Sequence, residues 1–129
     1  MACLTSAIEP LRAANEISDT QTFEWTLISE TGDRVDSSAQ VWFDPSETLT
    51  SAKPPDFLFL LSPPLGKFAD PKHGNGTLRN MARHGTILGG ISGGVFPLAR
   101  SGVLTGHRCS VHWCYDAAFA DEFPYIETT

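Results

Sequence analysis

Apolar and polar positions in the first part of the chain follow two different periods. Apolar residues recur at intervals of three and four between Leu4 and Glu16, which predicts an amphipathic helix over about residues 4–16. On that helix Glu9 and Arg12 stand one turn apart, as an exposed ion pair would. Residues 23–30 alternate between apolar and polar side chains, which predicts a strand, and residues 41–43 form a shorter apolar piece.

The middle of the chain carries the strongest pattern. Residues 57–61 are apolar at every position, which is typical of a central parallel strand buried on both faces. A helix is predicted from about Thr77 to His84, with Gly85 as its cap. The apolar run that begins at Ile87 then meets a glycine-flanked serine and continues in a helical pattern, so residues 86–102 predict a strand, a sharp turn and a helix.

The last part of the chain predicts a short strand at residues 108–111, a helix at 112–123 that ends before Pro124, and a further strand beginning at Ile126. Strands that alternate with helices favour a three-layer α/β/α sandwich with a mostly parallel sheet. No strand precedes the first helix and little follows the last one. We therefore expect one truncated domain over residues 1–129 whose sheet lacks its first and last elements.

Composition narrows the class of protein. The 129 residues are 41% hydrophobic and carry a net charge of −6, with the nine basic residues scattered along the chain. This distribution excludes the concentrated positive surface that nucleic-acid binding requires, and no apolar run approaches the ~20 residues of a membrane helix. Cys3, Cys109 and Cys114 lack metal-ligand spacing, so we expect no metal or cofactor and predict free thiols in a reducing cytoplasm, the last two of them buried.

The glycine-rich turn matches a catalytic pattern. Gly90-Ile91-Ser92-Gly93-Gly94 fits G-x-S-x-G, in which a strained bend exposes the serine and the next amide, here of Gly93, faces a developing oxyanion. His112 is the best candidate for the base that such a serine needs. Only twenty positions separate the two residues and no acid lies between them, which does not fit the order of an α/β-hydrolase. Glycine-rich turns also serve simply to pack a strand against a helix.

Four segments, taken in order, resemble the PfpI/ThiJ-type, class I glutamine amidotransferase-like domain at the N-terminus of AraC-family transcription regulators. The segments are AIEPLRAAN at 7–15, GGISGGVFPLA at 89–99, GVLTGHR at 102–108 and VHW at 111–113. The resemblance implies a flavodoxin-like sandwich in which the enzymes pair an elbow cysteine with a histidine. By position, Ser92 falls on the nucleophile, His112 on the histidine, and Gly93 with the Leu65-Gly66 loop on the oxyanion side.

Two functions follow from this resemblance. The first is a non-catalytic domain that senses a small metabolite and pairs subunits into a homo-oligomer, while a helix-turn-helix domain absent from this chain binds DNA. Its ligand would be an amino acid or a quaternary amine such as a betaine or carnitine. It would bind beside Ser92, Gly93 and His112, with Leu65, Gly66 and Glu9 as further candidate ligand-binding residues.

The second function is a hydrolase, hydratase or amidase of the same superfamily with Ser92 as nucleophile and Glu9 recruited as an acid. A serine ionises far less readily than a cysteine, and prolines in the 62–66 loop remove backbone donors. Both features favour the sensing domain over the enzyme. Trp113, a lone aromatic at a predicted helix start, is assigned to the core rather than to a ligand.

Overall fold

Four helices and six short strands form this mixed α/β chain in the computed structural model, which describes all residues from Met1 to Thr129. The chain divides into two compact units, Met1–Ala52 and Lys53–Thr129. Each strand pairs with a single neighbour, so the strands form three two-stranded sheets, two of them parallel.

The first unit begins with a long helix and continues in four two-residue strands. These elements are α1 (Ala2–Ser18), β1 (Ile28–Ser29), β2 (Val35–Asp36), β3 (Trp42–Phe43) and β4 (Glu47–Thr48). Strand β1 pairs with β4 in parallel, and β2 pairs with β3 in antiparallel fashion. The predicted first helix is confirmed with two more residues at each end, and the predicted apolar piece at 41–43 forms β3.

The predicted strand at 23–30 is wrong for most of its length, because only Ile28–Ser29 pair with another strand. The side chain of Asn15 on α1 explains part of the difference. Its Oδ1 accepts the N–H groups of Thr22 and Phe23 at 2.8 Å each, and its Nδ2 donates to the Phe23 carbonyl at 2.7 Å. The backbone at the start of this segment is thus bound to a helix and is not available for a sheet.

The second unit is organised around a parallel strand pair with helices beside it. Its elements are β5 (Phe57–Ser62), α2 (Pro71–Arg83), β6 (Ile87–Ser92), α3 (Val95–Ser101) and α4 (Asp116–Glu122). Strand β5 lies parallel to β6 in a register that places Phe57 opposite Ile87 and Ser62 opposite Ser92. The predicted strand, turn and helix are confirmed, and Gly102 ends α3 with a positive φ of 84°.

Helix α2 begins six residues before the predicted Thr77, because Asp70 accepts the N–H of His73 at 3.2 Å and Pro71 occupies the first turn. A helix beginning at Thr77 would leave Gly74 and Gly76 outside it, whereas both lie within α2. Gly74 lies against the ring of Phe68, where a Cβ atom would overlap the ring, so close packing accounts for this glycine. The helix ends at Arg83, one residue before the predicted His84; His84 is its cap, and Gly85, the predicted cap, follows with a φ of 92°.

The β5–β6 pair is covered on one face only. Along β5 the residues alternate between exposed and half-buried, with Phe57 57% and Phe59 53% exposed, and Ile87 opposite Phe57 is 58% exposed. The prediction that β5 is buried on both faces is therefore wrong. An apolar run shows that both faces of a strand are suited to burial, but it does not show that both are covered.

An aromatic cluster forms the core of the C-terminal part. Phe96 of α3 lies 5.4 Å from Phe119 of α4 between ring centroids, and Phe119 lies 4.8 Å from Phe123. Ile126 joins this cluster as a buried core residue. Strands are predicted at 108–111 and from Ile126 onward. Of the two, only a single parallel bridge between Cys109 and Thr128 forms.

The predicted helix at 112–123 divides into a 3₁₀ turn at Trp113–Tyr115 and α4. Trp113 is 81% exposed and Cys114 is exposed, so the predictions that placed them in the interior are wrong. The tight 3₁₀ turn contributes no buried residue, whereas a continuous helix would bury one side. No helix of the chain is long and apolar enough to cross a membrane.

Candidate functional site

The turn between β6 and α3 holds Ser92 in a strained conformation. Ser92 is the last residue of β6 and has a φ of 56°, in the left-handed region that L-residues rarely enter. The left-handed conformation costs roughly 1–2 kcal/mol for a residue with a Cβ atom. Strain of this kind concentrates at functional sites, where the surrounding structure holds it in place. The Ser92 residue is exposed at this bend.

Close backbone packing enforces the bend. A Cβ atom on Gly93 would overlap the carbonyl of Pro63, and one on Gly94 would overlap the carbonyl of Leu60. The N–H of Gly93 donates to the carbonyl oxygen of Ser62 at 3.2 Å. That amide, which the sequence pattern assigns to an oxyanion, is therefore already used within the strand pair.

An open cavity of about 570 Å³ lies beside this turn, a volume within the range of roughly 300–1,000 Å³ that is usual for small-molecule sites. Ser92 and His112 both line it, together with Ser110 and Cys109. The rest of the wall is mostly apolar, with the side chains of Leu88, Val95, Leu98, Leu104 and Val111. The structure thus brings two of the sequence-predicted site residues to one cavity.

His112 is held by its own backbone neighbourhood rather than by Ser92. Its Nδ1 accepts the N–H of Cys114 at 3.2 Å, and its ring stacks on Trp113 with centroids 5.6 Å apart. No hydrogen bond joins the imidazole to Ser92. Because Nδ1 accepts this hydrogen bond, the proton of the neutral ring lies on Nε2.

Two polar residues of the cavity were missed by the sequence reasoning. Cys109 and Ser110 follow Arg108 in the segment predicted as a strand, and only the observation that this strand would end near the same sheet edge could have indicated them. Burial raises the pKa of the Cys109 thiol. The thiol therefore stays protonated at neutral pH and is a poor nucleophile.

The loop after β5 lies against the elbow but does not line the cavity. The N–H of Gly66 donates to the carbonyl of Pro63 at 3.0 Å, which closes a turn in which Leu65 has a φ of 59°. Leu65 is 51% exposed, and neither Leu65 nor Gly66 contributes to the cavity wall. The carbonyl group of Pro63 lies against Gly93 and makes the contact between the loop and the elbow.

Glu9 belongs to the first unit and is engaged in the ion pair that the sequence predicts. The Arg12 guanidinium donates to its carboxylate at 2.6 Å and 3.0 Å, and it also contacts Glu16 at 2.8 Å. The hydrogen bond from Arg12 lowers the pKa of Glu9, so this carboxylate is ionised at neutral pH and is not a proton donor. In the whole chain no group of three or more histidine, cysteine or acidic residues is arranged to hold a metal ion.

The chain matches no protein-family model, but it is similar to several curated transcriptional regulators. It is 32% identical over 123 residues to the HTH-type transcriptional regulator GbdR of Pseudomonas aeruginosa, which covers 95% of this chain and 34% of the relative. It is 33% identical to CdhR of the same organism, over 96% of this chain and 37% of that protein. It is 30% identical to GlxA of Rhizobium meliloti, over 94% and 38%. The chain thus spans about a third of the length of these relatives.

Two solved structures share its architecture. An AraC family transcriptional regulator from Pseudomonas putida matches with a TM-score of 0.81 and 29% identity, over 100% of this chain and 69% of that one. A transcriptional regulator protein from Vibrio parahaemolyticus matches with a TM-score of 0.77 over 99% of this chain and 69% of that one. At 21% identity the second likeness establishes the fold alone.

Proposed function

We propose that this chain, a homologue of the HTH-type transcriptional regulators of the AraC family, is the effector-sensing part of such a regulator and carries out no catalysis. The observation that carries the proposal is the cavity that Ser92 and His112 both line among apolar side chains. Related catalysts keep a thiolate at the elbow, whereas this chain has a serine without a base or a free oxyanion donor. A polar hydroxyl and an imidazole N–H in an apolar wall are suited to orient a small molecule.

We propose an amino acid or a quaternary amine as the effector, as the resemblance to AraC-type regulators implies. The apolar wall fits the methyl groups of a betaine or carnitine, and Ser92 and His112 offer donors to a carboxylate. Trp113 stacks on His112 and presents an 81% exposed indole, whose face attracts a quaternary ammonium group.

Thermal unfolding and calorimetry of the chain with glycine betaine, carnitine and arginine test this proposal. A ligand at a hundred times its Kd adds about 2.7 kcal/mol to the free energy of unfolding. Ser92→Ala and His112→Ala should each weaken binding about tenfold, since each removes a hydrogen bond to a charged ligand. His84→Ala is the matched control, because this exposed imidazole contacts Asn80 and lies outside the cavity.

Absence of binding by all three compounds at millimolar concentration would contradict the choice of effector class. A serine-directed electrophile tests the non-catalytic assignment separately. We expect no labelling of Ser92, and labelling that is lost in His112→Ala would overturn the assignment.

We propose that residues 1–129 form a three-layer flavodoxin-like sandwich domain. The parallel β5–β6 pair and the helices on one of its faces support this architecture. The uncovered face, with Phe57, Phe59 and Ile87, has the apolar surface that a second helical layer requires.

We also propose that the chain forms a homo-oligomer in the cytoplasm and reaches DNA only through a separate helix-turn-helix domain. Both outer edges of the β5–β6 sheet lack a partner strand, and unpaired edges favour association. The net charge of −6 and the scattered basic residues do not favour binding of this chain itself to the phosphates of DNA. Sedimentation that gives a monomer across the micromolar range would contradict the oligomer.

A further inference from the structure

Arg100 connects three separate parts of the second unit. It lies in the last turn of α3, and its Nη1 donates to the carbonyl oxygen of Gly66 at 2.5 Å. Its Nε and Nη2 donate to the two carboxylate oxygens of Glu122, at the end of α4, at 2.6 Å and 2.9 Å. The guanidinium carbon lies 5.6 Å from the ring centroid of Phe96. One planar group thus contacts the loop after β5, helix α4 and the aromatic core.

This arrangement differs from an ordinary surface ion pair. The Arg100 side chain is only 22% exposed, and all of its contacts use the fixed fork of the guanidinium, which a lysine ammonium does not reproduce. Charge-assisted bidentate hydrogen bonds of this kind set geometry as well as energy. By comparison, Arg108 and Glu127 approach at 3.6 Å with side chains 62% and 72% exposed, a pair that contributes little.

The loop that Arg100 holds is itself strained and touches the elbow. Leu65 has a φ of 59°, and Gly66 has no space for a Cβ atom beside Ser62. The Pro63 carbonyl at the other end of the same turn occupies the space beside Gly93. A continuous path of contacts therefore runs from the Ser92–Gly93 turn through residues 63–66 and Arg100 to Glu122.

We propose that Arg100 is a positioning residue that couples the 63–66 loop to helix α4, so that displacement of the elbow is transmitted to α4. The regulatory meaning of this coupling rests on the proposed function, in which an effector binds at the elbow. The mechanical link is a property of the fold alone, and it is tested without an effector.

Hydrogen exchange measured by mass spectrometry on Glu122→Gln tests the link. The substitution is made at the end of α4, where Glu122 does not contact the loop, yet it removes the charge that fixes the guanidinium. We expect the amide of Gly66, whose N–H is bonded to the Pro63 carbonyl at 3.0 Å, to exchange about fivefold faster. Arg100→Lys should have the same effect, since an ammonium does not hold both partners.

Glu127→Gln is the matched control, with an equal change of charge at the other ion pair and no expected effect on the loop. The amides of α2 serve as an internal reference for global stability. Unchanged loop exchange in Glu122→Gln, or acceleration of the loop and α2 to the same degree, would overturn the coupling. Failure of Arg100→Lys to fold leaves the test intact, because Glu122→Gln carries it alone. Neither result depends on whether an effector is found.

Discussion

Because the backbone at Ser92 is strained, we expect glycine to be more stable than alanine at this position, which reverses the usual order. Ser92→Ala removes the hydroxyl but keeps the Cβ atom that makes a φ of 56° unfavourable. Ser92→Gly removes the same hydroxyl and the strain together. The exposed hydroxyl makes no hydrogen bond within the chain, so the comparison of the two variants isolates the backbone contribution to the free energy of unfolding.

The magnitude follows from two opposing effects. The left-handed conformation costs alanine roughly 1–2 kcal/mol relative to glycine. The greater freedom of glycine in the unfolded chain lowers its stability by roughly 0.4–1 kcal/mol. We therefore expect the free energy of unfolding of Ser92→Gly to exceed that of Ser92→Ala by up to about 1.6 kcal/mol, with a mid-range value of about 0.8 kcal/mol that corresponds to about 2–4 °C in Tm for a chain of this size.

Urea denaturation followed by circular dichroism measures this difference. Ser110 supplies the matched control, because it lines the same cavity and its backbone is not among the positions with positive φ. At Ser110 the free energy of unfolding of the alanine variant should exceed that of the glycine variant by roughly 0.4–1 kcal/mol, which is the opposite order. If alanine were the more stable residue at position 92 as well, the elbow would not be strained, and the inference from strain to function would lose its basis.

Further predictions concern the packing and capping around the site, all measured as free energy or midpoint of unfolding. Gly93→Ala should destabilise the chain by roughly 1–3 kcal/mol because its Cβ overlaps the Pro63 carbonyl. At Gly76 a Cβ meets nothing within 4 Å, so Gly76→Ala should stabilise α2 by roughly 0.5–1 kcal/mol. Equal effects of the two substitutions would refute the packing argument. Leu65→Gly should be at least as stable as Leu65→Ala, since Leu65 is 51% exposed with a φ of 59°, and a clear loss would show that the turn is not strained. Asp70→Ala should lower Tm at neutral pH more than Asp70→Asn, which keeps a capping side chain. The backbone N–H of His73 lowers the pKa of Asp70, so the advantage of the wild type over Asp70→Asn is complete above the ordinary carboxyl pKa and is lost as the pH falls through the lowered one. An advantage of the wild type over Asp70→Asn that persists unchanged in strong acid would contradict this.

Local pattern predicts those elements whose structure is decided locally. The segment from Ile87 to Ser101 was predicted because an apolar run, a glycine-rich turn and a helical period follow one another within a few residues. The segment at 23–27 was mispredicted because its backbone hydrogen bonds go to Asn15, a residue eight positions away on a helix. Alternating side chains are compatible with a strand, but a strand forms only where the backbone pairs with a second strand.

The residues of the candidate site also fall into those that the local sequence pattern predicts and those that only the fold brings together. The bend at Ser92 is predicted from its glycines. His112 is assigned to the same site because it opens the next predicted helix, and the family resemblance then places it on the histidine position. Cys109 and Ser110 line the cavity through the fold of a segment whose pattern indicated only a short strand. The contact between Arg100 and Gly66 joins residues 34 positions apart, and no periodicity in the sequence records it.

In the sensing role that we propose, the elbow serves to hold a polar group in place. In an enzyme, the strained bend presents a nucleophile, a following amide stabilises the oxyanion, and a histidine removes a proton. Here the amide of Gly93 is bound to Ser62, and the Nδ1 of His112 is bound to Cys114. The remaining feature is a hydroxyl whose backbone is fixed by contacts on both sides of the turn. A donor held rigidly at the edge of an apolar cavity loses little entropy when a ligand binds, and the same contacts that hold it rigid pass any displacement to the loop. Rigidity that serves reaction geometry in a catalyst therefore suits recognition and transmission in a sensor.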